Sequence, residues 1–143
     1  MSNPEPVPYT NDAEIEALVA RFASCDLPPD DVSHRVHVAM SAWCFLKLPE
    51  RQAAARIHDD LRRYVEWHQI TIYNETITLF WTRMIGKAVA SMDRTRPAFA
   101  AVNEVLARLG DSRLLFAYYT RERLQSDEAR LRWVEPDLQP LDL

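Results

Sequence analysis

Hydrophobic residues in this chain recur mostly three and four positions apart, the spacing that places side chains on one face of a helix. Asn11 precedes the first such stripe and is placed to cap a helix, while Pro28 follows where that helix has to end. Seven segments fit this description, six of them long enough to be main helices and the seventh short. Their predicted bounds are about 11–25, 30–48, 49–68, 74–92, 95–110, 112–124 and 126–134.

The scarcity of glycine supports the same fold class. Only Gly86 and Gly110 occur among 143 residues, whereas β-sandwiches and barrels usually need many glycine-rich turns. The sequence therefore predicts an all-α, single-domain, irregular bundle of about six main helices. Three prolines within residues 1–10 predict an extended N-terminal arm, and residues 11–143 form the single helical domain.

One segment departs from the simple pattern, because "TIYNETITLFW" places polar residues inside an apolar stretch. Its β-branched residues suggest a hairpin, but Asn74-Glu75 lacks the glycine that two-residue turns favour. Beyond it, Ile77, Trp81 and Ile85 continue a helical stripe. We therefore expect a helix with Asn74 as its cap and Glu75 in its first turn.

Charge and composition exclude several classes of function. The net charge is −4 and no block of like charges occurs, which argues against a nucleic-acid or membrane-surface partner. No window is apolar enough to span a membrane, and the polar start of the chain predicts no secretory signal. Cys25 and Cys44 lie among apolar neighbours, so we expect buried, reduced thiols and a cytoplasmic location.

Several stretches resemble a family of small bacterial proteins that carry a Tyr-His-Glu-Thr-Ile-Thr motif and two histidines three residues apart after a Thr or Ser. The resemblance covers most of the chain and implies no particular activity. The chain departs from the motif at Asn74, where the family has histidine, so a role that needs this histidine is not carried over. The matching stretches are "CDLP" at 25–28, "SHRVHVAMSAW" at 33–43, "YNETIT" at 73–78 and "YYTRERLQSDEARLRWVEPDL" at 118–138.

His34, His37 and Glu75 form the main candidate site. The two histidines share one helix face, and we expect them to meet the carboxylate where the second and fourth helices pack. Two histidines and a carboxylate are a common set for a divalent first-row metal, and the same set could act without metal as an acid–base group. A third interpretation is a structural network in which Glu75 pairs with a nearby histidine or arginine.

Five further residues are candidate ligand-binding groups, while other polar or aromatic residues have simpler roles. His58 and His68 lie at the edge of the third helix, and His68 is a candidate replacement for the missing family histidine. Trp43, Trp81 and Phe116 are predicted core residues. The ligand-binding candidates are Tyr73, Asn74, Thr78, Tyr119 and Arg130.

The expected function is therefore a small enzyme or small-molecule-binding protein with a pocket where the second and fourth helices meet. The alternative is a non-catalytic interaction module, a homodimer through exposed apolar faces, in which the polar cluster only fixes the packing. An open cavity at the cluster favours the first function, and a sealed, fully hydrogen-bonded cluster favours the second.

Overall fold

The computed structural model of the chain describes residues 6–142, and every regular element in this range is helical, so the all-α prediction is confirmed. Five helices of 12 to 18 residues form the body, and two short helices follow them. Two 3-10 helices, Pro29–Asp31 and Ser112–Ala117, lie in the connections. The α-helices are α1 Asp12–Ala23, α2 His34–Lys47, α3 Glu50–Trp67, α4 Glu75–Ala90, α5 Ala98–Leu109, α6 Arg121–Gln125 and α7 Asp127–Leu131.

Side-chain caps fix the starts of five of the α-helices. Each cap accepts a hydrogen bond from the backbone N–H three residues further on, and the five caps are Asn11, Ser33, Asn74, Thr120 and Ser126. Such a bond satisfies one of the amide groups that a helix start leaves without a partner. The predicted caps at Asn11, Asn74 and Ser126 are confirmed.

Helix α2 lies at the centre of the bundle and packs against α1, α3, α4 and α5. Its residues 38–45 are all buried, which agrees with a helix that is apolar on most sides. Close contact with α4 occurs at Gly86, where a side chain would come within 3.0 Å of the Phe45 ring. Polar side chains on α2 therefore need either a partner or a cavity.

Two predicted helices differ from the structure. The second begins at His34 rather than near residue 30, because a 3-10 turn comes first and Ser33 then takes the cap. The sixth, expected over 112–124, is divided at Tyr119, whose side chain is buried while Thr120 caps α6. Thr95 does not cap α5, since Pro97 occupies that position.

The chain on either side of the helices is tied to the bundle by hydrogen bonds. The backbone of Tyr9 donates to and accepts from the Asn103 side chain, at 3.0 and 2.8 Å. Residues 1–5 of the predicted arm lie outside the described range. The segment after α7 is held by Thr76 of α4. The buried Thr76 hydroxyl donates to the Arg132 carbonyl at 2.7 Å and accepts from the Val134 amide at 3.2 Å.

Burial agrees with most of the predicted core. Trp43 and Trp81 are buried, but Phe116 is 38% exposed, so its assignment to the core was wrong. Cys25 and Cys44 are buried free thiols, as expected. Within residues 6–142, no helix combines the length and the hydropathy that a membrane crossing requires.

Candidate ligand pocket

A cavity of about 570 Å³ lies where α2, α3 and α4 meet, at the predicted place. Its remaining sides are formed by the end of α1, the connection between α1 and α2, the loop between α3 and α4, and the 3-10 helix Ser112–Ala117. Its wall is mainly apolar, and no Asp, Glu, Lys or Arg of the part of the chain that the structure describes contributes to it. The apolar part of the wall includes Val32, Leu61, Ile77, Trp81 and Leu115.

His34 lines the pocket with its ring held in place from two sides. Its Nε2 donates to the carbonyl of Leu109 at 3.0 Å, at the C-terminal end of α5, where helix carbonyls lack internal partners. Its ring centre lies 4.4 Å from that of Trp81. These contacts anchor α2 to α4 and α5, so His34 has a structural role at the edge of the pocket.

His37 also lines the pocket, but its side chain makes no hydrogen bond within residues 6–142. Every buried side-chain nitrogen and oxygen in this range has a hydrogen-bond partner. The ring nitrogens of His37 have none, so they are not buried and remain accessible. Burial, with a smaller effect from the charge of His34, lowers the pKa of His37 to about 4. At neutral pH, His37 is therefore a neutral imidazole that offers one donor and one acceptor to the cavity.

Glu75 is not part of the pocket wall, contrary to the prediction. Its carboxylate turns toward α3, where Oε1 accepts from His58 Nε2 at 2.7 Å and Oε2 accepts from the Tyr73 hydroxyl at 3.0 Å. Arg62 follows His58 by one helical turn, and its Nη1 lies 3.8 Å from Glu75 Oε2. These contacts are those that the hydrogen-bond network interpretation of Glu75 predicts.

The expected metal set is consequently not assembled. Across the described range, no three His, Cys, Asp or Glu side chains are grouped so that they could hold a metal ion. The His34 ring hydrogen-bonds to the Leu109 carbonyl, and the Glu75 carboxylate hydrogen-bonds to His58 and Tyr73. The prediction that His34, His37 and Glu75 converge was wrong, because Glu75 finds hydrogen-bond partners on α3. The spacing of His34 and His37 on α2 gave no information about those partners.

Three of the five predicted ligand-binding residues do line the pocket, namely Tyr73, Asn74 and Thr78. The pKa of Tyr73 is raised, mainly by burial, so its hydroxyl stays protonated and donates to Glu75. Asn74 caps α4 through Oδ1 and donates through Nδ2 to the Leu124 carbonyl at 2.8 Å. Thr78 donates to the Asn74 carbonyl at 3.0 Å, so these polar groups mainly hold the wall in shape.

Tyr119 and Arg130, the other two, are not in the pocket wall. Tyr119 is fully buried and donates to the Val134 carbonyl at 2.6 Å, and burial raises its pKa to about 12, so its role is structural. Arg130 is exposed and lines a separate recess of about 260 Å³. That recess shares Ile72 and Phe116 with the pocket.

The remaining histidine and cysteine candidates support the fold. His68 Nε2 donates to the Cys25 carbonyl at 2.9 Å and links the loops that follow α1 and α3. It does not line the pocket and so does not replace the family histidine there. Burial raises the pKa of the Cys44 thiol to about 11, which agrees with packing and not with a reactive thiolate.

Comparison of the chain with protein-family models, curated proteins and solved structures yields no match. The resemblance to the bacterial family therefore stays a prediction from the quoted stretches.

Proposed function

We propose that this protein binds a small, mainly apolar molecule in the pocket between α2, α3 and α4, and that His37 orients this molecule through a hydrogen bond. The observation that carries the proposal is that His37 lines a mainly apolar wall as an accessible imidazole whose side chain makes no hydrogen bond within residues 6–142. Because its ring nitrogens are accessible and make no hydrogen bond within residues 6–142, His37 can donate to or accept from a molecule that enters the cavity.

The size and composition of the pocket support this function. Its volume of about 570 Å³ falls within the range of roughly 300–1,000 Å³ that is common for small-molecule sites. Such sites usually combine an apolar wall with a few placed polar groups. In this pocket the apolar wall would bury the apolar surface of the ligand, and the hydrogen bond from His37 would fix the orientation of the ligand and select for its polar group.

The chemistry of His37 favours binding over general-base catalysis. A general base works best when its pKa lies near the working pH, whereas the pKa of His37 is lowered to about 4. Among the described residues, the pocket wall includes no carboxylate that would raise this pKa and orient the ring. The role proposed for His37 is therefore that of a hydrogen-bonding anchor.

The test is isothermal titration calorimetry with 1-decanol, a neutral molecule with an apolar body and one hydroxyl group. We expect binding to the wild type, and loss of one neutral hydrogen bond in His37→Phe should weaken it by roughly threefold to tenfold. Leu61→Trp fills the pocket and should abolish binding. Leu131→Trp adds the same side chain at a position that is 79% exposed and outside the pocket, and should bind normally.

Two results would overturn the proposal. One is the absence of 1-decanol binding to the wild type. The other is equal affinity in Leu61→Trp and Leu131→Trp, which would place the bound molecule elsewhere on the surface. Circular dichroism spectra of the variants establish that each has folded before the affinities are compared.

A further inference from the structure

The pocket borders the recess that Arg130 lines. The two cavities share four wall residues, Ile72, Asn74, Ile77 and Phe116. A ligand too long for the pocket therefore has a second space beside it, between the start of α4 and the short helix α6.

Apolar side chains are exposed at the junction of the two cavities. Ile72 is 88% exposed and Phe116 is 38% exposed. Their positions in both walls mean that a molecule spanning pocket and recess would cover them. Removing this apolar surface from water would add to the binding free energy.

The recess differs from the pocket in charge. Its wall includes Arg121 and Arg130, and neither makes an ion pair within residues 6–142. Arg121 lies over the Phe116 ring, with its guanidinium carbon 4.5 Å from the ring centre. Among residues 6–142, no Asp or Glu lies in either cavity wall, although the chain has 21 acidic residues and a net charge of −4.

From this arrangement we infer that the ligand is an amphipathic carboxylate. Its apolar body lies in the pocket, and its carboxylate lies in the recess, where it accepts hydrogen bonds from Arg121 and Arg130. This inference rests on the proposed function and assigns the chemical class of the ligand. Two planar guanidinium groups that make no ion pair within residues 6–142 suit the charge and the planar shape of a carboxylate.

The experiment compares sodium decanoate with 1-decanol by isothermal titration calorimetry at low and at moderate salt. The two probes have the same chain length and differ in charge. The test variant is the double substitution Arg121→Gln and Arg130→Gln. The matched control is Arg51→Gln and Arg83→Gln, which removes two exposed arginines that lie outside both cavities and make no ion pair in the described range.

We expect the wild type to bind decanoate more tightly than 1-decanol. The test variant should lose roughly tenfold in affinity for decanoate, as expected when a charge-assisted hydrogen bond is removed, and nothing for 1-decanol. The control variant should change neither affinity by more than about twofold, because its charges are distant and screened. Added salt should weaken only decanoate binding.

The outcomes separate this inference from the proposed function. Two outcomes would contradict the inference that the ligand is a carboxylate: binding of 1-decanol with no preference for decanoate, and equal loss of decanoate affinity in the test and control variants. Neither outcome would contradict the proposal that the pocket binds an apolar molecule. Absence of binding by both probes would overturn both proposals.

Discussion

His58 and Glu75 are joined by a hydrogen bond of 2.7 Å that links the middle of α3 to the first residue of α4. The second oxygen of the same carboxylate accepts from Tyr73, so three side chains form one connected chain at this junction. Because Glu75 lies outside the pocket wall, its contribution should be to stability and not to binding.

Glu75→Gln tests this assignment. Losing the charged acceptor should cost about 1–2 kcal/mol, because hydrogen bonds to a charged group are stronger than neutral ones. The side chains of Glu75 and His58 are 13% and 35% exposed, so the cost should stay below that of a fully buried pair. Urea denaturation measures the change, and Glu16→Gln, at an exposed position, serves as the control. A variant with wild-type stability that no longer binds 1-decanol would contradict the assignment.

The pH dependence of stability should report the neutral state of His37. Because its pKa falls from 6.5 to about 4 on folding, the unfolded chain binds more protons between these pH values. The free energy of unfolding should therefore decrease as the pH falls from 6.5 to 4, by on the order of 1–3 kcal/mol from this group. Below pH 4 the contribution of His37 should become constant.

His37→Gln separates this effect from the titration of carboxyl groups. Glutamine keeps a polar side chain but removes the titration, so the difference between wild type and variant should vary across pH 4–6.5. Urea denaturation at several pH values gives both curves. Parallel curves would show that the pKa of His37 does not change on folding.

Asn74→Ala should cost about 2 kcal/mol, from loss of a helix cap and of a second hydrogen bond to the Leu124 carbonyl. Asn11→Ala removes the cap of α1 at an exposed position, without such a second bond to a distant element, and should cost about 1 kcal/mol. Chemical denaturation of both variants gives the difference. Equal costs would mean that the Leu124 contact adds nothing to stability.

Trp81→Ala and Phe116→Ala should differ strongly in stability. Trp81 is buried and packs against His34 and Phe80, so its truncation should cost roughly 3–5 kcal/mol. Phe116 is 38% exposed, and its truncation should cost about 1 kcal/mol. Thermal melting of the two variants is sufficient, and similar melting temperatures would contradict the burial assigned to these side chains.

The helical fold could be predicted from the sequence because the signals for it are local. Apolar spacing, caps such as Asn11 and Ser126, and the scarcity of glycine each act within a few residues. The errors occurred where distant contacts override these signals. The segment 112–124 looks continuous in sequence, but the burial of Tyr119 and the cap at Thr120 divide it.

The candidate site was predicted only in part, for a similar reason. Helical spacing indicates that His34 and His37 share a face, and both do line the pocket. Spacing within one helix does not indicate which neighbour a side chain on another helix will meet, so Glu75 was assigned to the wrong partners. The signal that could have corrected this is the spacing of His58 and Arg62, one turn apart on the third predicted helix. The wall residues Ile72 and Phe116 lie in connections, where periodicity gives no information.

The bonds of Thr76 to residues 132 and 134 have a consequence for synthesis of the chain. A hydroxyl near the start of α4 depends on backbone groups that are translated more than fifty residues later. While the nascent chain still lacks residues 132–134, the first turn of α4 has neither of these two hydrogen bonds. The helix that forms one wall of the pocket therefore cannot complete the hydrogen bonds of its first turn until residue 134 has been synthesised.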